Sequence, residues 1–220
     1  MAAYYPESDS WQLIKEIARL SRIIKELETG PRIKTIAHSR RAVFFDRDGT
    51  VIESVHRPGF AGGTKEVTAP FTRDELKFIP GMTRLMERLT REGFLRIMIT
   101  NQPDVAHGYL TERVWSQIHS KVVDYLKFDG VYMCRHRGQD NCPRKKPLPG
   151  MPFDASDNLG IDLPRSYMVG DTDADMQAGK AAGCRVILID NFYNKGVEAD
   201  HRVLNIMEAV DIIINGSGQA

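Results

Sequence analysis

Two aspartates one residue apart, Asp46 and Asp48, close the apolar run Ala42–Phe45 and lead into Gly49 and Thr50. Side chains alternate along extended backbone, so positions i and i+2 face the same way. Two carboxylates on one side repel, and one loses its charge unless a cation binds them. An oxygen-rich pair of this kind suits Mg²⁺. Asp171 supplies a third carboxylate after another apolar run, with Asp173 and Asp175 following on the next turn. Thr100 and Asn101 end the run Leu-Arg-Ile-Met-Ile, where a hydroxyl and free backbone N–H groups can hold phosphate oxygens. Lys145 and Lys146 precede Pro147-Leu148-Pro149-Gly150, and either lysine could neutralise a substrate anion.

These groups lie far apart in the chain, so a fold must bring them together. From residue 42 onward, short apolar runs alternate with amphipathic ones. The pattern predicts strands at Ala42–Phe45, Leu95–Thr100, Gly130–Cys134, Ser166–Val169, Arg185–Ile189 and Asp211–Ile214. It predicts helices near 81–92, 111–127, 151–159, 173–182 and 203–209. Such alternation implies a doubly wound α/β fold, with a mostly parallel sheet covered on both faces. Ligands in these sheets bind beyond the C-terminal ends of the strands. Asp46/Asp48, Thr100-Asn101-Gln102 and Gly170-Asp171 all stand at such ends, so the topology predicts their convergence at one edge.

Residues 1–40 read as a helical extension ahead of a domain spanning 41–220. Leu13, Ile17, Leu20, Ile24 and Leu27 follow steps of four and three and line one helix face. Asp9 with Gln12 resembles a capping box, and Gly30-Pro31 supplies a stop. The stripe leaves two outcomes open: packing on the chain's own domain, or a contact with a second copy.

Composition narrows the class. Thirty basic and 29 acidic residues leave a formal net charge of +1, which gives no argument for nucleic acid or a membrane surface as partner. No apolar stretch approaches the length of a membrane span. The N-terminus lacks the pattern of a signal peptide, and three cysteines is an odd number, so the expectation is a cytoplasmic protein without a disulfide framework. Cys184, near a strand start, reads as a small buried residue.

Taken in order, DRDGT (46–50), Thr100-Asn101, Lys146 and GDTDAD (170–175) resemble the four motifs of the haloacid dehalogenase superfamily of phosphotransferases over roughly residues 42–215. The resemblance implies a Rossmann-like sheet and a two-step displacement. Asp46 would attack phosphorus, and Asp48 would move the proton to the leaving alkoxide and from the attacking water. Thr100 and Lys146 would hold the phosphoryl group. Mg²⁺ would sit on Asp46, Asp171 and the backbone carbonyl of Asp48, with Asp175 orienting Lys146 or a metal-bound water. The intervals between motifs hold little beyond ordinary strands and helices, so no full cap domain is expected; the Gly- and Pro-rich segment Glu53–Lys77 would act as a loop lid.

VFFDRDGTVI, ITNQP, CRH…NCPRKKPLPGM and YMVGDTDADMQAG are similar to the capless branch that contains heptose bisphosphate and histidinol-phosphate phosphatases. That branch implies a phosphorylated sugar as substrate, a heptose 1,7-bisphosphate first, with histidinol phosphate or another small phosphomonoester as the alternative. A non-catalytic scaffold that recruits a partner through the N-terminal helix is the reading from another class. The heptose enzymes carry a Cys₃His zinc set before the third motif. Cys134, His136 and Cys142 match it, but Arg144 stands at the fourth position, so structural zinc would need a water or a donor such as Asp140. Lys145 stands where an arginine would fork to a second phosphate, and His107 stands at another arginine position of the branch.

Overall fold

The computed structural model describes residues 7–28, 38–60 and 66–216. Its centre is a six-stranded sheet in which every pairing is parallel, built from β1 (Arg41–Phe45), β4 (Phe94–Asn101), β5 (Gly130–Cys134), β6 (Tyr167–Gly170), β7 (Arg185–Ile189) and β8 (His201–Val203). The spatial order is β5-β4-β1-β6-β7-β8, which puts β1 between β4 and β6.

Period-2 alternation explains why the strands read as continuous apolar runs. Val43 and Phe45 face one core, with Met86 and Leu89 of α2 (Met82–Arg91) and Val210 and Ile213 of α7 (Ile206–Gly216). Ala42 and Phe44 face the other, with Met151 and Ala155 of α5 (Gly150–Leu159) and Met176 of α6 (Asp173–Ala182). Both sheet faces are covered, so neither set of strand positions needs to be polar. The short α3 (Asp104–His107) and α4 (Glu112–Leu126) lie on the β4–β5 connection.

One strand assignment is corrected. Asp211–Ile214 does not form the sixth strand. It lies within α7, and His201–Val203 pairs with β7 instead. Ile206, Ala209, Val210 and Ile213 are buried at helical spacing. The Glu208 backbone N–H donates to Asn205 Oδ1 at 3.1 Å, and Glu208 accepts from the Leu204 N–H at 2.9 Å, so Asn205 caps a helix that begins at Ile206, three residues later than the predicted 203. Packing overrides the strand propensity of Ile212-Ile213-Ile214.

Glu53–Lys77 contains a feature too short to leave a periodic signal. β2 (Val55–His56) and β3 (Val67–Thr68) form an antiparallel pair. Arg57 ties it down through Thr68 Oγ1 at 2.9 Å and Glu75 Oε2 at 2.5 Å. Among the described residues no full cap domain interrupts the sheet.

At the N-terminal side, α1 covers Glu7–Glu28. Asp9 therefore lies inside the helix and does not cap it; the Gly30-Pro31 stop lies outside the described residues. Ala18 is buried, and Lys25 reaches Asp154 and Asp157 of α5 at 3.4 and 3.6 Å, so one face of α1 rests on its own domain. Leu13, Ile17, Leu20 and Ile24 are exposed. No helix among the described residues is long and apolar enough to cross a membrane.

Candidate active site

The ends of β1, β4 and β6 meet at one edge, around a cleft of about 520 Å³. Asp46 follows β1 directly, its N–H donating to the Val169 carbonyl at 3.0 Å. The chain then turns back on itself, with Val51 and Ile52 N–H groups both donating to the Arg47 carbonyl. Gly49 sits in this turn at φ +84°, and a Cβ there would lie 2.0 Å from Asp171 Oδ2. Only glycine permits both that backbone conformation and that approach.

Lys146 is the hub. Its Nζ donates to Asp46 Oδ1 at 2.6 Å, to Asp175 Oδ1 at 2.6 Å and to the Ile99 carbonyl at 3.1 Å. All three ammonium protons are used within a buried site. Burial alone would depress the Lys146 pKa, but the Asp175 and Asp46 carboxylates outweigh it and hold the ammonium above its ordinary range. Asp175 is itself fixed by the first turn of α6: its Oδ2 accepts from the Thr172 N–H at 3.0 Å. A Cβ at Gly170 would lie 2.5 Å from Asp175, so the strand end must be glycine.

Asp46, Asp171 and Asp175 bring carboxylate oxygens within 4.8 Å of one another. Burial pushes Asp46 up to about 7; Lys146 opposes the rise, and Asp175 and Asp48 add to it. Burial, with Asp46 and Asp175, raises Asp171 well above the usual carboxylate range. Tyr193 donates its hydroxyl to Asp171 Oδ2, while Asp171 Oδ1 is buried with no hydrogen-bond partner. Three buried carboxylates stand against one ammonium. An all-oxygen donor set with a free lone pair on Asp171 fits a hard divalent cation such as Mg²⁺.

The carboxylate of Asp48 lies apart from that trio. Arg47 grips it bidentately, Nε and Nη2 each at 3.0 Å, and Gln102 Nε2 donates to Oδ2 at 2.7 Å. Gln102 also donates to Thr100 Oγ1 at 2.9 Å and accepts from the Trp115 indole at 3.1 Å. One buried amide thus links Thr100 to Asp48. Asn101 pairs with the backbone of Lys146 and itself lines the cleft.

Across the cleft stand Ser54, Val67, Thr68 and Ala69 from the segment expected to form a lid, facing Asp104, Asp173 and Tyr193. Phe60 and Phe71 pack on Tyr109 at 5.0 and 5.7 Å, which joins this segment to the loop after β4. Residues 61–65 of the segment lie outside the described residues.

Lys145 and His107 are not among the residues that line the cleft. Lys145 donates to the His136 carbonyl at 2.7 Å and does not line the cleft, because the reciprocal Asn101 pair turns Lys146, not its neighbour, inward. His107 stacks on Tyr109 at 5.4 Å. Cys134, His136 and Cys142 do come together, with ligand atoms within 4.8 Å and Cys134 Sγ 3.6 Å from His136 Nδ1. Arg144 turns away to Asp154 at 2.9 Å, and Asp140 accepts from the Arg137 N–H at 2.7 Å. Neither completes the set, which has three donors among the described residues. Cys184 is buried, as expected.

Sequence reasoning gave no role to Gln102, Arg47, Trp115 or Tyr193. Gln102 and Arg47 were visible beside the motifs, but only contacts reveal what they hold. Tyr193, 22 residues beyond Asp171, carries no sequence signal at all.

The family profile described as "HAD-hyrolase-like" matches residues 143–215. A D-glycero-beta-D-manno-heptose-1,7-bisphosphate 7-phosphatase of Escherichia coli O6:H1 is 35% identical over 168 residues, covering 70% of this chain and 82% of the relative. The protein of that name from Rhodopseudomonas palustris is 30% identical over 183 residues, covering 78% and 92%. Among solved structures, the D,D-heptose 1,7-bisphosphate phosphatase from B. bronchiseptica complexed with magnesium and phosphate aligns with a TM-score of 0.66 at 25% identity, over 80% of this chain and 99% of that one.

Proposed function

The chain belongs to the haloacid dehalogenase-like phosphatases, and we propose on that footing that it is a Mg²⁺-dependent phosphomonoesterase acting on a phosphorylated sugar, with a heptose 1,7-bisphosphate as first candidate. The observation that carries the reading is the buried trio Asp46, Asp171 and Asp175 set against one ammonium, with Asp171 Oδ1 left unpartnered.

Asp46 attacks phosphorus and forms an aspartyl-phosphate as the substrate alkoxide departs. Lys146 supports this role by holding Asp46 Oδ1 and fixing the direction of the other oxygen. Asp48 gives its proton to the alkoxide, then takes one from the water that attacks the aspartyl-phosphate, so acid and phosphate are restored. The Arg47 fork and the Gln102 amide hold Asp48 as an ionised carboxylate, the form that takes the proton from water; to protonate the alkoxide it must loosen that fork and take up a proton. Thr100 binds the phosphoryl oxygens, Lys146 turns the proton it gives Asp46 Oδ1 toward them as the phosphoryl group arrives, and Asn101 positions Lys146. Asp46, Asp171 and the backbone carbonyl of Asp48 would hold Mg²⁺, which supplies charge stabilisation for the transferring phosphoryl group. The segment 53–77 limits access to the cleft.

Residues 41–220 form the catalytic unit in this reading, with residues 1–40 appended to it. Three free cysteines support a reducing compartment, the cytoplasm. Cys134, His136 and Cys142 would hold structural zinc with a water as fourth ligand. Metal analysis of protein purified without added metal tests that, and zinc far below one equivalent ends it.

The activity is tested with a panel of sugar phosphates, histidinol phosphate and an aryl phosphate, with Mg²⁺ and with chelator. Mg²⁺-dependent release of phosphate, strongest on a sugar phosphate and lost in Asp46→Asn, is the expected result. Turnover that survives in Asp46→Asn, or none on any phosphoester, overturns the proposal.

A further inference from the structure

The exposed apolar ridge of α1, which runs beside its docked face, is built to meet another helix. In heptad terms Leu13 and Leu20 are d positions and Ile17 and Ile24 are a positions; Leu27 continues the spacing as the next d. Leu13, Ile17, Leu20 and Ile24 are 62%, 48%, 48% and 53% exposed. Soluble surfaces carry single apolar side chains, but seldom a continuous ridge of them. The docked face adjoins this ridge: Ala18 and Lys25 fall on b, where Ala18 is buried and Lys25 reaches Asp154 and Asp157, and Ile17 borders both faces, since it also lines the groove between α1 and Pro149 and Phe153 of its own domain.

We infer that α1 pairs with α1 of a second copy of this chain as a parallel two-stranded coiled coil. Ile at a with Leu at d is the arrangement that favours two parallel strands. It is self-complementary, since a meets a and d meets d across a twofold axis, so a second copy satisfies the ridge without any other partner. The near charges do not call for a different helix: Glu16 pairs with Arg19 of its own copy at 3.6 Å. Together with Ile23, the four exposed residues leave roughly 450 Å² per copy, so the twofold contact buries roughly 900 Å² from these side chains alone, close to the roughly 1,000 Å² a specific interface needs.

The 22 residues of α1 span about 33 Å. A free helix pair of that length is marginal. Here the helix is already held on its own domain, so less freedom is lost when two copies meet.

Sedimentation equilibrium of the full chain should give twice the chain mass at concentrations well above micromolar. Leu20→Glu should be monomeric, with phosphate release per active site unchanged, which also shows that the variant is folded. Ile24→Cys should form a disulfide-linked dimer on mild oxidation where the wild-type chain, with its own cysteines, does not, because a positions abut only in the parallel pair. A monomeric wild-type chain, or a Leu20→Glu dimer, overturns the pairing. A dimer whose Ile24→Cys variant does not cross-link overturns the parallel arrangement.

Discussion

Asn101 and Lys146, 45 residues apart, hold each other through both of their available groups: the Asn101 amide donates to the Lys146 carbonyl at 2.9 Å and accepts from its N–H at 3.1 Å. The end of β4 thereby sets the height and direction of the one lysine that reaches Asp46. Asn101 is a positioning residue in this arrangement. Asn101→Ala removes both bonds, and misplacement of a catalytic group by about 1 Å can cost about 10²-fold. The expected outcome is a kcat lower by roughly 10- to 100-fold. An unchanged kcat would show that Lys146 is placed without it.

Asp48 is separated from the carboxylate trio and clamped by Arg47 and Gln102, which predicts a split by leaving group. Asp48→Asn should lose about 10²- to 10⁴-fold on an alkyl phosphate, where the alkoxide needs a proton. On an aryl phosphate, whose leaving group is stable as an anion, the loss of the first step should be much smaller. Burst kinetics on both substrates check this; equal losses would remove the proton-transfer role.

Gln102 satisfies Thr100, Asp48 and the Trp115 indole at once. Gln102→Leu keeps the volume and strands the Trp115 indole N–H and the Thr100 hydroxyl, while Asp48 keeps the Arg47 fork. Leaving a buried polar group unsatisfied costs about 1–3 kcal/mol. Urea unfolding should register at least that loss, along with reduced turnover. A variant as stable and active as the parent would mean that the amide network is dispensable.

The raised Asp46 pKa carries a sign that can be read by melting. Its ordinary value is 3.8 and its folded value about 7, so the native state holds this proton more tightly than the unfolded chain. The resulting stability is fully present below about pH 4 and is lost as pH rises through 7. A cation on the carboxylates competes with that proton. In chelator, melting temperature should fall between pH 5 and 8, and the gain on adding Mg²⁺ should be larger at pH 8 than at pH 5. A Mg²⁺ gain independent of pH contradicts the assignment of Asp46 as a ligand.

Gly49→Ala tests how closely the turn approaches Asp171. The new Cβ would fall 2.0 Å from Asp171 Oδ2 at a φ of +84°. Strain of this kind costs on the order of 1–3 kcal/mol. Chemical denaturation should show that loss, and isothermal titration should show weakened Mg²⁺ binding as Asp171 is pushed aside. Intact Mg²⁺ affinity would place the cation elsewhere.

What the sequence by itself determined was the frame. Ala42–Phe45 must be buried on both faces because it has no polar position, and β-sheet geometry then puts its carboxylates at the strand end. The same logic brought Thr100 and Asp171 to that edge, since strand ends converge in a parallel sheet; Lys146, in the loop between β5 and α5, was marked only by the motif resemblance. That logic failed at 211–214, where three consecutive isoleucines favour a strand locally and only packing against the core selects a helix. For Lys145 it offered a second-phosphate contact by position alone; in the fold the side chain donates to the His136 carbonyl, while the Asn101 pair fixes the backbone of Lys146. The contacts of Gln102 and Tyr193, the departure of Arg144 to Asp154, and the choice of which face of α1 docks were likewise decided only in the tertiary structure. Each depends on atoms brought together from distant parts of the chain, and a local pattern carries no information about such distances.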